Sequence, residues 1–265
     1  MERVHLFELE DFDWMPAPIR DGGTDLLDLA FDRLSFYGGV APKLADVLRT
    51  TGKTDIVDLC SGGGGGTLST WRLLDAGTRE RVSLHLTDRH PNRAGIARVE
   101  ALGDPRVHYE PASVDAMQGG GDRAGVRTMS GALHHFTPDA VRALVSGIVA
   151  RREPLVFFDV AASPGLRRTP LVLVPIAMFF NMLALFVGSL FLVPLARPFR
   201  LSRVLLTYPL PAIPMLVAWD GTVSALRAYT PEEILAIARS VPGGDRYTWD
   251  AGVEGRALWV TGVPG

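Results

Sequence analysis

Four places in this chain bring together residue types that could do chemistry. Asp58 closes a β-branched run, Ile56 and Val57, and is followed by the five glycines Gly62 to Gly66. Asp88 and Asp115 each end an apolar stretch, and His134 and His135 stand side by side before Phe136. Carboxylates accept hydrogen bonds from hydroxyls and amines, and an imidazole is the usual general base near neutral pH. Glycines at a turn permit positive φ and let a ligand lie against the backbone, while a helix beginning there offers free N–H groups. Thr67 opens such a helix, with Leu68, Trp71 and Leu74 at helical spacing. Strand, tight turn and helix with these acids suit a nucleotide-like ligand.

The spacing excludes two common nucleotide sites. A dinucleotide fingerprint needs glycines at i, i+2 and i+5. Every register fails at the third: Gly62 and Gly64 lead to Thr67, Gly63 and Gly65 to Leu68, Gly64 and Gly66 to Ser69. A phosphate-binding P-loop is excluded because no Lys-Ser or Lys-Thr pair follows the glycines. A flexible glycine linker would not be flanked by a buried-type strand and an amphipathic helix.

Asp58, Cys60, Gly62 and Gly64 resemble the Asp-x-Gly-x-Gly-x-Gly motif of class I S-adenosylmethionine-dependent methyltransferases, with Cys60 where that family usually has its first glycine. The resemblance implies that Asp58 and the turn Cys60, Ser61, Gly62 and Gly64 carry the methionine part of S-adenosylmethionine. It implies that Asp88 grips the ribose diol, and that Val114 and Asp115 meet the adenine through a backbone N–H and a carboxylate. LHHFTPDAVRALV, Leu133 to Val145, resembles the region after the fourth strand in small-molecule methyltransferases of the ubiquinone and menaquinone type. There the family places its substrate cavity, so His135 or His134 is the expected catalytic base. A structural role satisfied by backbone groups is the alternative for each histidine, as an N-cap is for Asp88 and an Asx-turn for Asp115. No metal is expected, since adjacent histidines on a strand end would point to different sides and no further ligand cluster is evident.

Stepping along the chain gives the elements that must hold these residues. Strands are expected at Val82–Thr87, Val107–Ser113, Arg127–Leu133 and Pro154–Ala161, the last with Asp159 near its end. Pro91 and Asn92 start a helix to Leu102, Thr137 and Pro138 start another, and Thr230 with Glu233 has the capping-box spacing. Arg246–Asp250 and Ala257–Val263 read as a terminal hairpin. The fold expected is α/β: a Rossmann-like class I methyltransferase fold with a seven-stranded, mostly parallel sheet and a C-terminal antiparallel hairpin. Residues 1–50 are expected to form a helical cap, with Tyr37 as a further candidate for cofactor contact, and 51–162 with 222–265 the core.

Residues 163–221 are read as a hydrophobic insert. From Leu171 to Ala196 there is no ionisable side chain, and as a helix at 1.5 Å per residue this span reaches ~39 Å against a bilayer core of ~30 Å. Strands on either side of the insert must share one sheet, so the chain has to return to the side it left. The return, Val204 to Trp219, contains Pro209, Pro211 and Pro214, which favours a hairpin dipping into one leaflet over two spans. Between Ala161 and Trp219 stand five arginines, Arg167, Arg168, Arg197, Arg200 and Arg203, and no acid. The chain's net charge is −2, so the rest carries −7. A basic apolar element suits contact of 170–215 with a membrane surface, and a lid or homodimer face is the alternative.

With 27 basic and 29 acidic residues the balance offers no footprint for nucleic acid. Cys60 is the only cysteine, which excludes an internal disulfide. The acidic start MERVHLFELEDFDWMP lacks the form of a secretory signal, so residence on the cytoplasmic side is expected, in solution or on the membrane face. The function expected is methyl transfer from S-adenosylmethionine to an O, N or activated C of a hydrophobic small molecule. The rivals are a nonmethylating use of the same scaffold, as a cyclase or cofactor-binding regulator, and a membrane scaffold with a degenerate site.

Overall fold

Alternation along the first strand decides how the layers form. Ile56 packs with Leu44, Leu84 and Val126 on one face, and Val57 and Leu59 pack with Met129, Leu144 and Phe157 on the other. Neighbouring residues of a strand point to opposite faces, so an apolar run needs cover on both. The computed structural model describes residues 3–33, 36, 38–162 and 168–265, and there the cover is helical on both sides. Tyr37 lies outside the described residues.

The helices are α1 (Ala17–Arg33), α2 (Ala41–Thr51), α3 (Gly65–Arg72), α4 (Ala76–Arg81), α5 (Arg93–Leu102), α6 (Pro138–Ala150), α7 (Val174–Leu192), α8 (Leu201–Leu205), α9 (Ala212–Arg227) and α10 (Pro231–Ser240). The strands are β1 (Asp55–Leu59), β2 (Ser83–Leu86), β3 (Val107–Tyr109), β4 (Val126–Ser130), β5 (Leu155–Val160), β6 (Tyr247–Glu254) and β7 (Ala257–Pro264). They form one seven-stranded sheet in the order β3-β2-β1-β4-β5-β7-β6, parallel from β3 to β5, with β7 antiparallel to both β5 and β6. This is the expected class I methyltransferase sheet. The order reverses between β1 and β4, and ligands of open α/β sheets bind beyond the carboxyl ends of the strands at such a point.

Local chemistry explains the boundaries. The Asn92 carboxamide caps α5 through Ala94 N and Gly95 N (2.8 and 3.1 Å), and Thr230 and Glu233 cap α10 reciprocally (3.2 and 2.9 Å). β3 stops at Tyr109, short of the expected Ser113: after the bond from Glu110 N to Leu86 O comes Pro111, which has no N–H to continue the ladder.

The insert differs from the expected leaflet hairpin. Its return is the 16-residue helix α9, with Pro214 in the first turn, where a missing N–H costs nothing. α9 is largely buried: Ile213 and Val217 pack with Leu26 of α1 and with Val193, and Thr222 accepts a hydrogen bond from Asn181 of α7 at 2.8 Å. α7 lies outside it. With its flanking turns it forms a span, Leu171–Leu195, that is long and apolar enough to cross a membrane and in which only Val174, Ser189 and Val193 are buried. Phe179, Phe180 and Phe191 stand on its bare side. Not all the arginines face outward: Arg203 is buried against Asp25, and Arg200 lies 3.6 Å from the same carboxylate.

Candidate active site

The glycine turn is built around a carboxylate that it hides. Asp58 Oδ1 accepts from the hydroxyls of Thr67 and Thr128, and Oδ2 from Ser61, each at 2.6 Å. Burial pushes this carboxyl above its ordinary range and the three hydroxyls oppose it. Asp58 is 1% exposed and does not line the cleft: its three hydroxyl partners tie β1, β4 and α3 together. The chain leaves β1 through Cys60 at φ +56°, left-handed backbone for which the family's glycine is suited and which strains an L side chain. Gly64 caps α3 at φ +81°, and an added Cβ there would lie 3.1 Å from Leu86 Cδ1, so its role is conformational.

Beyond the strand ends lies a cleft of about 270 Å³. Cys60, Ser61, Gly62 and Asp88 line it together with Ser130 and His135. Asp88 Oδ2 accepts from Gly62 N and Oδ1 from His90 N, both at 2.7 Å, which pins the second strand's tip to the turn. Each oxygen keeps a further lone pair, so Asp88 can still accept from a diol. Val114 and Asp115 are not brought to this cleft. The Val114 N–H expected to face an adenine donates to Asp88 O at 2.8 Å, and Asp115 accepts from Met117 N at 2.9 Å, the Asx-type turn.

The histidines do not diverge. Leu133–His135 is a turn of 3₁₀ helix rather than strand, so side chains do not alternate, and the two rings lie 4.3 Å apart between centroids. His134 is buried, with Nδ1 2.7 Å from Asp159 Oδ1, while its own N–H donates to Asp159 Oδ2 at 2.6 Å. His135 lines the cleft and meets acids from the far end of the chain: Nδ1 lies 2.7 Å from Asp11 Oδ1 and 3.4 Å from Glu8 Oε2, and Nε2 3.4 Å from Glu10 Oε1. Burial opposes charge on this ring, but Glu8, the bond to Asp11 and Glu10 outweigh it and raise His135 to about 10, so it is an imidazolium at neutral pH. Burial also opposes ionisation of Asp11, yet His135 and Arg227 hold it well below the carboxylate range.

α9 supplies the other partners. Arg227 Nη1 lies 3.0 Å from Glu8 Oε1 and 2.8 Å from Asp11 Oδ2, and Asp220 accepts the backbone N–H groups of Leu9 and Glu10 at 2.7 and 3.1 Å. Burial raises Asp220 to about 7 against those two bonds, with Glu10 and Glu8 adding to the rise. Glu8, Glu10, Asp11 and Arg227 were not legible as site residues. The only signal for the three acids was an acidic start to the sequence, nothing local couples it to the histidines, and Arg227 had no signal of its own. Asp28 of α1 was missed too: it lies under the glycines, 3.2 Å from Arg98, and burial raises it to about 6.

No family model matches this sequence, and no curated protein does. Solved structures match by shape. An O-methyltransferase family protein from Burkholderia thailandensis is 14% identical, aligned over 91% of this chain and 59% of its own, with a TM-score of 0.53. A putative O-methyltransferase from Nostoc punctiforme is 12% identical (89% and 59%, TM-score 0.49), and human N-acetylserotonin methyltransferase, solved with S-adenosylmethionine, is 11% identical (90% and 56%, TM-score 0.49). The present chain thus spans a little under three-fifths of the length of these structures. At such identity the likeness shows the fold.

Proposed function

We propose that this chain transfers the methyl group of S-adenosylmethionine to an acidic oxygen, a phenol or enol, of a hydrophobic small molecule. One observation carries the reading: a single cleft at the sheet's switch point joins the glycine turn and Asp88 to His135. The cleft suits the cofactor, since Ser130 Oγ is buried there with no hydrogen-bond partner among the described residues, and Asp88 retains acceptor capacity for a diol. Ser61, Gly62 and Ser130 would hold the amino-acid end and Asp88 the ribose. S-adenosylmethionine supplies a methyl group already activated as a sulfonium.

The protein's task is then alignment, exclusion of water and management of one proton. His135 lies where it can pair with an oxyanion. Because it is cationic at neutral pH, it favours an acceptor that binds ionised over a neutral amine awaiting deprotonation. The oxygen reading narrows the O, N or activated C expected from sequence. The bare face of α7 supports a hydrophobic acceptor delivered from a membrane surface, with Arg168 and Arg197 exposed at either end of the span.

Calorimetry with S-adenosylmethionine and its demethylated product tests the cofactor, and absence of binding to folded protein would end the reading. A panel of apolar phenols, enols and amines tests the acceptor. Phenol or enol turnover should fall ~10²-fold or more in His135→Ala, and amines methylated as well as phenols would refute the oxygen preference.

A further inference from the structure

We propose that Glu8, His134 and His135 hold one divalent transition-metal ion beside the cleft, with a coordination position left open towards it. Each of the three offers one ligand atom, and these atoms lie within 4.8 Å of one another. The closest approaches are telling. His134 Nε2 is 3.7 Å from Glu8 Oε1, and His135 Nδ1 is 3.4 Å from Glu8 Oε2. Both are long for hydrogen bonds. Two donors about 2.0–2.1 Å from a tetrahedral ion stand roughly 3.3–3.4 Å apart, the spacing at which His135 Nδ1 and Glu8 Oε2 already lie, and a side-chain movement of His134 completes the set.

Two further observations point to a cation. Glu8 is fully buried, and its Oε2 has no hydrogen-bond partner among the described residues, while Oε1 is occupied by Arg227. His134 is the second. Asp159 holds its Nδ1 at 2.7 Å, so the ring nitrogen turned towards Glu8 is Nε2. A carboxylate behind a ligating histidine is the usual outer-shell arrangement, and it leaves the other ring nitrogen for an ion. Four acids, Glu8, Glu10, Asp11 and Asp159, surround the two rings. Arg227 lies against Glu8 and Asp11, and Arg3 donates to the carbonyls of His134 and Phe136, so a divalent ion fits the surplus of negative charge. On binding, His135 Nδ1 gives up its proton and its bond to Asp11, which keeps Arg227, so the ion replaces the imidazolium of the ion-free protein as the positive charge facing an oxyanion.

Two imidazoles and one carboxylate suit zinc, iron(II) or cobalt(II) rather than magnesium or calcium. Because His135 lines the cleft, the open position would take an oxygen ligand, an alkoxide, phenolate or enolate. That last step rests on the acceptor proposed above, whereas the ion site stands on geometry alone.

The test is titration of chelator-stripped protein with zinc and with cobalt(II), followed by calorimetry, the cobalt visible spectrum and X-ray absorption at the zinc edge. The expected result is one equivalent bound at micromolar Kd or tighter, with two imidazole ligands in the absorption spectrum. Glu8→Gln and His134→Ala should each weaken it by at least ~100-fold and Asp159→Asn by ~10–100-fold, while His85→Ala, at the remote stacked pair His85 and His108, leaves it unchanged. Absence of binding at millimolar zinc, or a zinc shell without imidazole in the wild-type protein, overturns the proposal without relying on any variant. Binding of the demethylated cofactor, measured in parallel on stripped protein, reports on the methyltransferase reading separately.

Discussion

Replacing Asp58 by Asn separates a scaffold carboxylate from a ligand-binding one. The amide keeps one carbonyl oxygen, enough for Thr67 and Thr128, but turns an N–H₂ towards Ser61, whose hydroxyl must then accept instead of donating. Ser61 can do so, because its Oγ also lies 3.3 Å from Asp58 O and can donate there. The loss is therefore the charge assistance in three bonds, about 1 kcal/mol each. Relief of the buried charge, which already raises the Asp58 carboxyl, offsets part of that. A net loss of ~1–2 kcal/mol follows, or a fall in Tm of roughly 2–8 °C for a chain of this size. The assay pairs differential scanning fluorimetry with calorimetry of the demethylated cofactor. Asp58→Asn should lower Tm and change Kd by less than about threefold, whereas Asp88→Asn should weaken binding ~10-fold or more by removing a charged acceptor. An Asp58→Asn protein with unaltered Tm and abolished binding would refute the assignment of Asp58 as scaffold.

Three other outcomes are expected. At Cys60, φ +56° makes Cys60→Val cost about 2 kcal/mol or more in urea unfolding, while Cys60→Gly stays within ~1 kcal/mol of wild type because relief of strain offsets lost packing and added chain entropy; an equally stable Val variant would contradict this. Asp28, raised to about 6, is protonated in the folded state where the unfolded chain would be ionised; its contribution is full below about pH 4 and lost as pH rises through 6, a drop of ~2–3 kcal/mol that Asp28→Asn should remove from the pH profile of urea unfolding. Phe179, Phe180 and Phe191 are 62%, 62% and 74% exposed, so changing all three to Ser should leave Tm nearly unaltered yet cut flotation with anionic liposomes severalfold; equal flotation would remove the membrane from the account.

What could be read from the sequence was whatever a short window determines. The β1 turn, the caps at Asn92 and Thr230 and the terminal hairpin are set by neighbours within a few positions, and each is found where spacing put it. For Asp58, Val114 and Asp115 the motif gives an address, not a direction. The window could not show that three hydroxyls converge on one acid, or that the Val114 N–H is already used. The acids facing His135 were out of reach for a different reason. Glu8 and Asp11 precede it by more than 120 positions, and they are held there by Asp220 and Arg227 of α9, the helix that leads out of the insert.

That last arrangement ties the order of synthesis to the order of assembly. The segment that includes Glu8 and Asp11 leaves the ribosome before the sheet, yet the guanidinium that pairs with both arrives more than two hundred residues later, after the whole apolar span has emerged. The histidine-bearing end of the cleft therefore cannot close during translation of the core, and a nascent chain stalled before α9 would hold its glycine turn without its acidic counterpart.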